Sequence, residues 1–377
     1  MNKVFERIKR RVILSATEAC AYRENTRVIS EAELKEILET ELVKHNNGWI
    51  PVTKMLPENN DNVQVTVIRN GEPEVAVGWY NHDKALESFE YIKSCGFEAV
   101  DYNIDIYLRP DPMAKEGVIT PTLFDKSIEE LLEWVKPLKE ASEATGVEIS
   151  QMHAPFPCWY PEKDDLNAYL IMAFDKCFAI AEYLNCGAVV VHPTLLSERD
   201  AEWEENLKFY RSLIPYIKKY KGVKICTENI FTKYGAHFVE ARLSNPYDAA
   251  RMIDTLNEEA GGDYFGFCLD VGHANLCHLD LKNYIKIMGK RLTIFHIHDN
   301  NAHDDLHMIP YSYLTSGKFH VCDWARFVEG IKEIGFEGTL AFETFRIFSA
   351  YPQPAHTSAL KLIADIGHYW VDQIENE

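Results

Sequence analysis

The feature that most constrains this chain is a repeated alternation of short apolar runs, rich in β-branched and aromatic residues, with longer amphipathic runs of helix length. "VAVGWY" precedes "DKALESFEYIKSCG", and "FEAVDYN" precedes "DKSIEELLEWVKPLKEASEATG". "VEISQMHAPF", "AVVVHPT", "VKICTEN", "YFGFCLD", "RLTIFHIHD" and "GTLAFE" continue the series, each followed by its own helical run. Strands that are apolar along nearly their whole length are buried on both faces, as in a parallel sheet covered by helices. Eight strand–helix units predict an α/β fold, a (β/α)₈ TIM barrel over residues 73–377.

Residues 1–72 read differently. They hold two amphipathic helical stretches, roughly 3–23 and 30–45, the second opening with Ser30 and Glu33 in a capping-box pattern. Alternating strand segments follow, with "RNGE" as a hairpin turn. This predicts a small N-terminal α+β extension, whose role the sequence leaves open.

In a barrel of this kind the chemistry belongs at the C-terminal ends of the strands. The third to eighth expected strands end on His153, His192, Glu228, Asp270, His296 and Glu343. One such residue is ordinarily a helix cap, a surface group or a satisfied core histidine. Six at successive strand ends would converge on one point. Gathering carboxylates in one cavity is costly unless a cation offsets their repulsion. The donor set suits a divalent metal, Mn²⁺, Mg²⁺, Co²⁺ or Zn²⁺. Strand periodicity puts His296 and His298 on the same face and does not choose between them. "IFHIHDNNAHDDLH" adds Asp305 and His307 just beyond.

Composition narrows the partners. A formal charge of −19 argues against a surface built for nucleic acid. No apolar stretch reaches membrane-spanning length. The nine cysteines form no CxxC pair and read as reduced core thiols. Together these predict a soluble, cytoplasmic protein; a homo-oligomer is compatible with them.

The stretches "HAPF", "VVVHP", "TEN", "LDVGHAN", "HIHDN", "DLH" and "LAFET" resemble, in order, those of the xylose-isomerase-like superfamily of sugar phosphate isomerases and epimerases, which also contains the apurinic endonucleases. The resemblance implies a single metal held by Glu228, Asp270, His296 and Glu343, with Glu228 and Glu343 as the proton-transferring pair. It selects His296, three residues before the Asp-Asn pair, as the ligand. It leaves His298 near the mouth, and His273 at a position that meets substrate oxygens or a further metal. The activity implied is isomerisation or epimerisation of a carbohydrate by proton transfer next to a carbonyl. Phe156, Trp159 and Tyr160 would then form an apolar wall over the sugar.

The endonuclease branch implies an alternative, a zinc-dependent phosphodiesterase. Residue types matching its ligands stand at Glu228, Asp270, His273, His296, Glu343, His153, His192, Asp305 and His307, so further zinc is implied there. Departures weigh against it: "ENIFTK" lacks the small residues expected after "EN", and "HPTLL" lacks a second histidine. A sugar dehydratase or lyase on the same barrel is a third reading.

Overall fold

The computed structural model describes residues 84–235, 237–317 and 319–375, with two short strands at 67–69 and 72–74. Those strands, β1 (Val67–Arg69) and β2 (Glu72–Glu74), pair antiparallel with Arg69 opposite Glu72, as the "RNGE" turn predicts. The helices expected within residues 1–45 and the expected first barrel strand, 75–80, lie outside the described residues.

Seven parallel strands follow in one sheet. They are β3 (Ala99–Asn103), β4 (Glu148–His153), β5 (Ala188–Val190) and β6 (Lys224–Glu228), then, after an antiparallel hairpin of β7 (Phe231–Tyr234) and β8 (His237–Glu240), β9 (Phe265–Asp270), β10 (Leu292–Ile297) and β11 (Leu340–Phe342). Each barrel strand lies beside its predecessor, and β11 also approaches β3, so the sheet curls into a nearly closed barrel. The β7–β8 hairpin was not expected from the alternation; it interrupts the fifth unit shortly after Glu228.

The helices are α1 (Ala85–Ser94), α2 (Pro110–Glu116), α3 (Ile128–Thr145), α4 (Asp164–Tyr183), α5 (Arg199–Ile217), α6 (Pro246–Ala260), α7 (Val271–Leu276), α8 (Leu281–Met288), α9 (Trp324–Ile334), α10 (Ile347–Ala350) and α11 (His356–Glu375). Helix α3 shows why they form where they do. Ser127 accepts from Glu130 N while the Glu130 carboxylate accepts from Ser127 N, a reciprocal cap that contributes about 0.5–2 kcal/mol. Leu131, Val135, Leu138 and Ala141 are buried along one helix face; each Leu or Val there stabilises by about 1.5–3 kcal/mol. Gly146, at φ +73°, stops the helix in a conformation that a side chain would strain. Among the described residues no helix is long and apolar enough to cross a membrane.

Ala188, Val190, Cys226, Cys268 and Ile294 pack together as the apolar floor of the barrel interior. Two residues further along the same strands come His192, Glu228, Asp270 and His296, and the two-residue period keeps them on the same side. One step along each strand thus exchanges an apolar layer for a polar one.

Candidate metal centre

Glu228, the last residue of β6, is the hub of that polar layer and is 2% exposed. Its Oε2 lies 3.0 Å from His192 Nε2 and 3.3 Å from His296 Nδ1, and its Oε1 lies 3.3 Å from His273 Nδ1. Burial alone would raise its pKa, but His296 and His192 hold it well below the usual carboxylate range. His192 follows the last paired residue of β5 by two positions and Glu343 follows β11 by one, so both sit on the first turn of a loop.

Asp270 serves two purposes. It caps α7, with Oδ1 accepting from His273 N at 2.6 Å, and the same oxygen lies 3.1 Å from His298 Nε2. Its backbone is clamped by Asn229, whose side chain accepts from Asp270 N (2.7 Å) and donates to Asp270 O (2.8 Å). One carboxylate thus caps a helix and also faces the histidine cluster.

His153, at the end of β4, lies between two carboxylates: Asp101 Oδ2 is 2.8 Å from Nδ1 and Glu343 Oε1 is 3.5 Å from Nε2. Burial lowers the basicity of this imidazole, but Asp101, Glu343 and Glu228 outweigh it and raise the pKa to about 10.

Asp305 and His307 arrive by another route. Asp299 N donates to Met308 O (2.8 Å) and Met308 N to Asp299 O (3.0 Å), which pinches the intervening loop closed. The Asp299 carboxylate accepts from Ser312 N at 2.9 Å, and Asn300 Nδ2 donates to Gly272 O at 2.8 Å. From that base His307 Nε2 lies 3.2 Å from Asp305 Oδ2, which is 3.7 Å from His273 Nε2. His298 does not stand at the mouth as expected. It is fully buried, its ring stacked on His307 at 3.8 Å between centroids, and Asp305 Oδ1 is 3.7 Å from its Nε2. Gly272 makes room for it, because a Cβ there would collide with the His298 ring. His303 and Asp304 are exposed.

All ten expected residues thus join one contact network, which holds two separate four-residue sets linked through Glu228 and Asp270. Asp101, His153, His296 and Glu343 form an inner set whose ligand atoms lie within 4.8 Å of one another, and His273, His298, Asp305 and His307 form an outer set on the same criterion. Glu228 and Asp270 join them: Glu228 groups with His153 and His192, and both acids with His273. The donors fit a divalent cation. Both ring nitrogens of His296 and the second oxygen of Asp270 are buried without a hydrogen-bond partner, a costly state that a bound cation would relieve.

Three phenylalanines back the histidines: Phe156 packs on His192 (4.7 Å between centroids), Phe231 on His273 (5.0 Å) and Phe345 on His307 (4.3 Å). Of the expected aromatic wall only Phe156 meets the site. Trp159 Nε1 donates to Glu205, and Tyr160 Oη donates to Asp111. The sequence reading missed Asp101, a lone acid inside the apolar run "FEAVDYN", and Asn229, directly after Glu228.

The sequence profile of the xylose isomerase-like TIM barrel matches residues 89–372. The chain belongs to that family. Within 303 residues it is 27% identical to the uncharacterized protein y4fM of Sinorhizobium fredii (strain NBRC 101917 / NGR234), covering 75% of this chain and 90% of that relative. Solved structures of similar fold include a D-tagatose 3-epimerase-like protein (TM-score 0.54, 21% identity, 76% of this chain and 97% of the other). They also include the 3-keto-D-glucoside 4-epimerase YcjR of E. coli (0.54, 16%, 75% and 95%) and a D-psicose 3-epimerase solved with D-fructose (0.53, 11%, 78% and 94%). At these identities the likeness is one of fold.

Proposed function

We propose that this chain is a metal-dependent sugar isomerase or epimerase acting by proton transfer next to a carbonyl. The observation that carries the reading is that two carboxylates, Glu228 and Glu343, each group with His296, whose two ring nitrogens are buried and unsatisfied. Glu228, Asp270, His296 and Glu343 would hold a divalent cation, which when bound supplies Lewis-acid polarisation of a carbonyl oxygen. Glu228 and Glu343 remove and return the proton at the neighbouring carbon, a step worth about 10²–10⁴-fold in rate. His192 and His273 orient substrate oxygens, and Phe156 covers an apolar face of the sugar. The similarity in fold to sugar epimerases supports the same reading.

The test is deuterium exchange. Incubation in D₂O with Mn²⁺ and a panel of keto-sugars (D-tagatose, D-fructose, L-ribulose, a 3-keto-glucoside) should place deuterium next to the carbonyl of at least one, and Glu343→Gln should abolish the exchange. Absence of exchange on every sugar, together with cleavage of DNA at abasic sites, would transfer the site to phosphodiester chemistry.

A further inference from the structure

Asp101 lies on β3, and its placement bears on how the centre is held in shape. The β3–β4 register pairs Asp101 with Gln151 and Asn103 with His153, so the carboxylate reaches His153 diagonally across the ladder. Oδ2 stands 2.8 Å from His153 Nδ1, a close but poorly aligned approach, and Oδ1 is buried without a partner. The opposite ring nitrogen, Nε2, faces Glu343 Oε1 at 3.5 Å. The His153 ring also stacks on His296, with centroids 4.7 Å apart and planes 22° apart. One imidazole therefore lies against a second ring and between two carboxylates, one facing each nitrogen.

A plain ion pair that only ties β3 to β4 is the simpler account, but it fits poorly. Removing a carboxylate and an imidazole from water costs several kcal/mol, and an apolar pair would join the strands as well. What an apolar pair would not do is choose the tautomer. The partner of one ring nitrogen decides which nitrogen carries the proton, and a carboxylate at Nδ1 leaves the Nε2 lone pair free.

We infer that Asp101 is a positioning residue, which holds the Nδ1–H of His153 and so presents His153 Nε2 as a donor atom beside Glu343 and His296. The inference rests on the metal centre proposed above but not on any sugar being its substrate. It is tested with zinc alone, by competition against a chelating dye. Asp101→Ala should weaken zinc affinity by about 10–100-fold. Asp101→Asn still offers an oxygen to Nδ1–H and should lose less. The double variant of Asp101→Ala with His153→Gln should bind no more weakly than His153→Gln alone. Unchanged affinity in Asp101→Ala, or losses that add in full, would overturn the inference.

A second measurement needs no variant to fold. Nitrogen-15 shifts of the zinc-loaded, unmutated protein should show the His153 proton on Nδ1, and a proton on Nε2 would contradict the assignment. Both readouts are made without sugar. A protein that turns over no sugar sinks the activity proposed above and leaves this inference standing. Sugar turnover with zinc affinity indifferent to Asp101 does the reverse.

Discussion

Glu228 and His296 reach the centre from the last turns of β6 and β10, whereas Asp305 and His307 reach it from a loop that only the Asp299–Met308 pairing and a few side-chain bonds hold in place. The strand-borne residues rest on an apolar floor, with Cys226, Cys268 and Ile294 directly beneath Glu228, Asp270 and His296. The loop-borne pair rests on other polar groups: His307 lies on His298, and His298 lies on Gly272. Rigid packing fixes the first set, and a chain of contacts fixes the second. The inner set should therefore carry the chemistry, and the outer set should tune it.

The comparison breaks most sharply at Glu228. Glu228→Gln removes the shared carboxylate of three histidines, and should cost about 10²–10⁴-fold in proton-exchange rate along with most of the metal affinity. Asp305→Asn, measured in the same exchange assay, should cost much less; an equal loss would erase the distinction between the sets.

Gly272→Ala strikes the outer set first. The added methyl collides with the His298 ring, and overpacking of this kind costs about 1–3 kcal/mol. Thermal unfolding should register that loss while metal affinity at the inner set stays within a few-fold. A stability equal to that of the unmutated protein would show that the ring has room to move.

A further effect, read on the unmutated protein, is a pH dependence. In the metal-free protein burial lowers the basicity of His153 and His307, but Asp101 beside the first and Asp305 beside the second raise their pKa values to about 10 and about 9. These raised histidines contribute stability that is fully present below their unfolded value, about pH 6.5, and is lost as pH rises through 9 to 10. Bound cations must displace such protons, so metal affinity should rise with pH by up to about tenfold per unit for each proton released. Chelator competition between about pH 6 and 8 measures the slope. A flat profile would mean that the imidazoles are neutral before metal arrives.

The same division explains what could be read in the sequence. Strand ends such as "CTEN", "CLDVGH" and "IFHIHD" announce themselves, because a polar residue closing an apolar run has no reason to be there except capping or chemistry. His298 was misplaced because strand periodicity gives the face of a residue but not its depth, and its depth depends on Gly272 in the helix that follows another strand. Asp101 was missed because an acid in the middle of a strand gives no sign of which neighbour it will meet; that is set by the β3–β4 register. The β7–β8 hairpin was missed because "FTKYGAHFVE" is too short and too polar to stand out beside the barrel strands.

The central claim is that these strand ends form a divalent-cation site, and elemental analysis of the dialysed protein tests it most directly. The account predicts at least one tightly held divalent ion per chain after loading with Mn²⁺, Mg²⁺, Co²⁺ or Zn²⁺, and its loss in Glu228→Gln. A chain that retains none of these ions, or that retains them equally well without the Glu228 carboxylate, would contradict it.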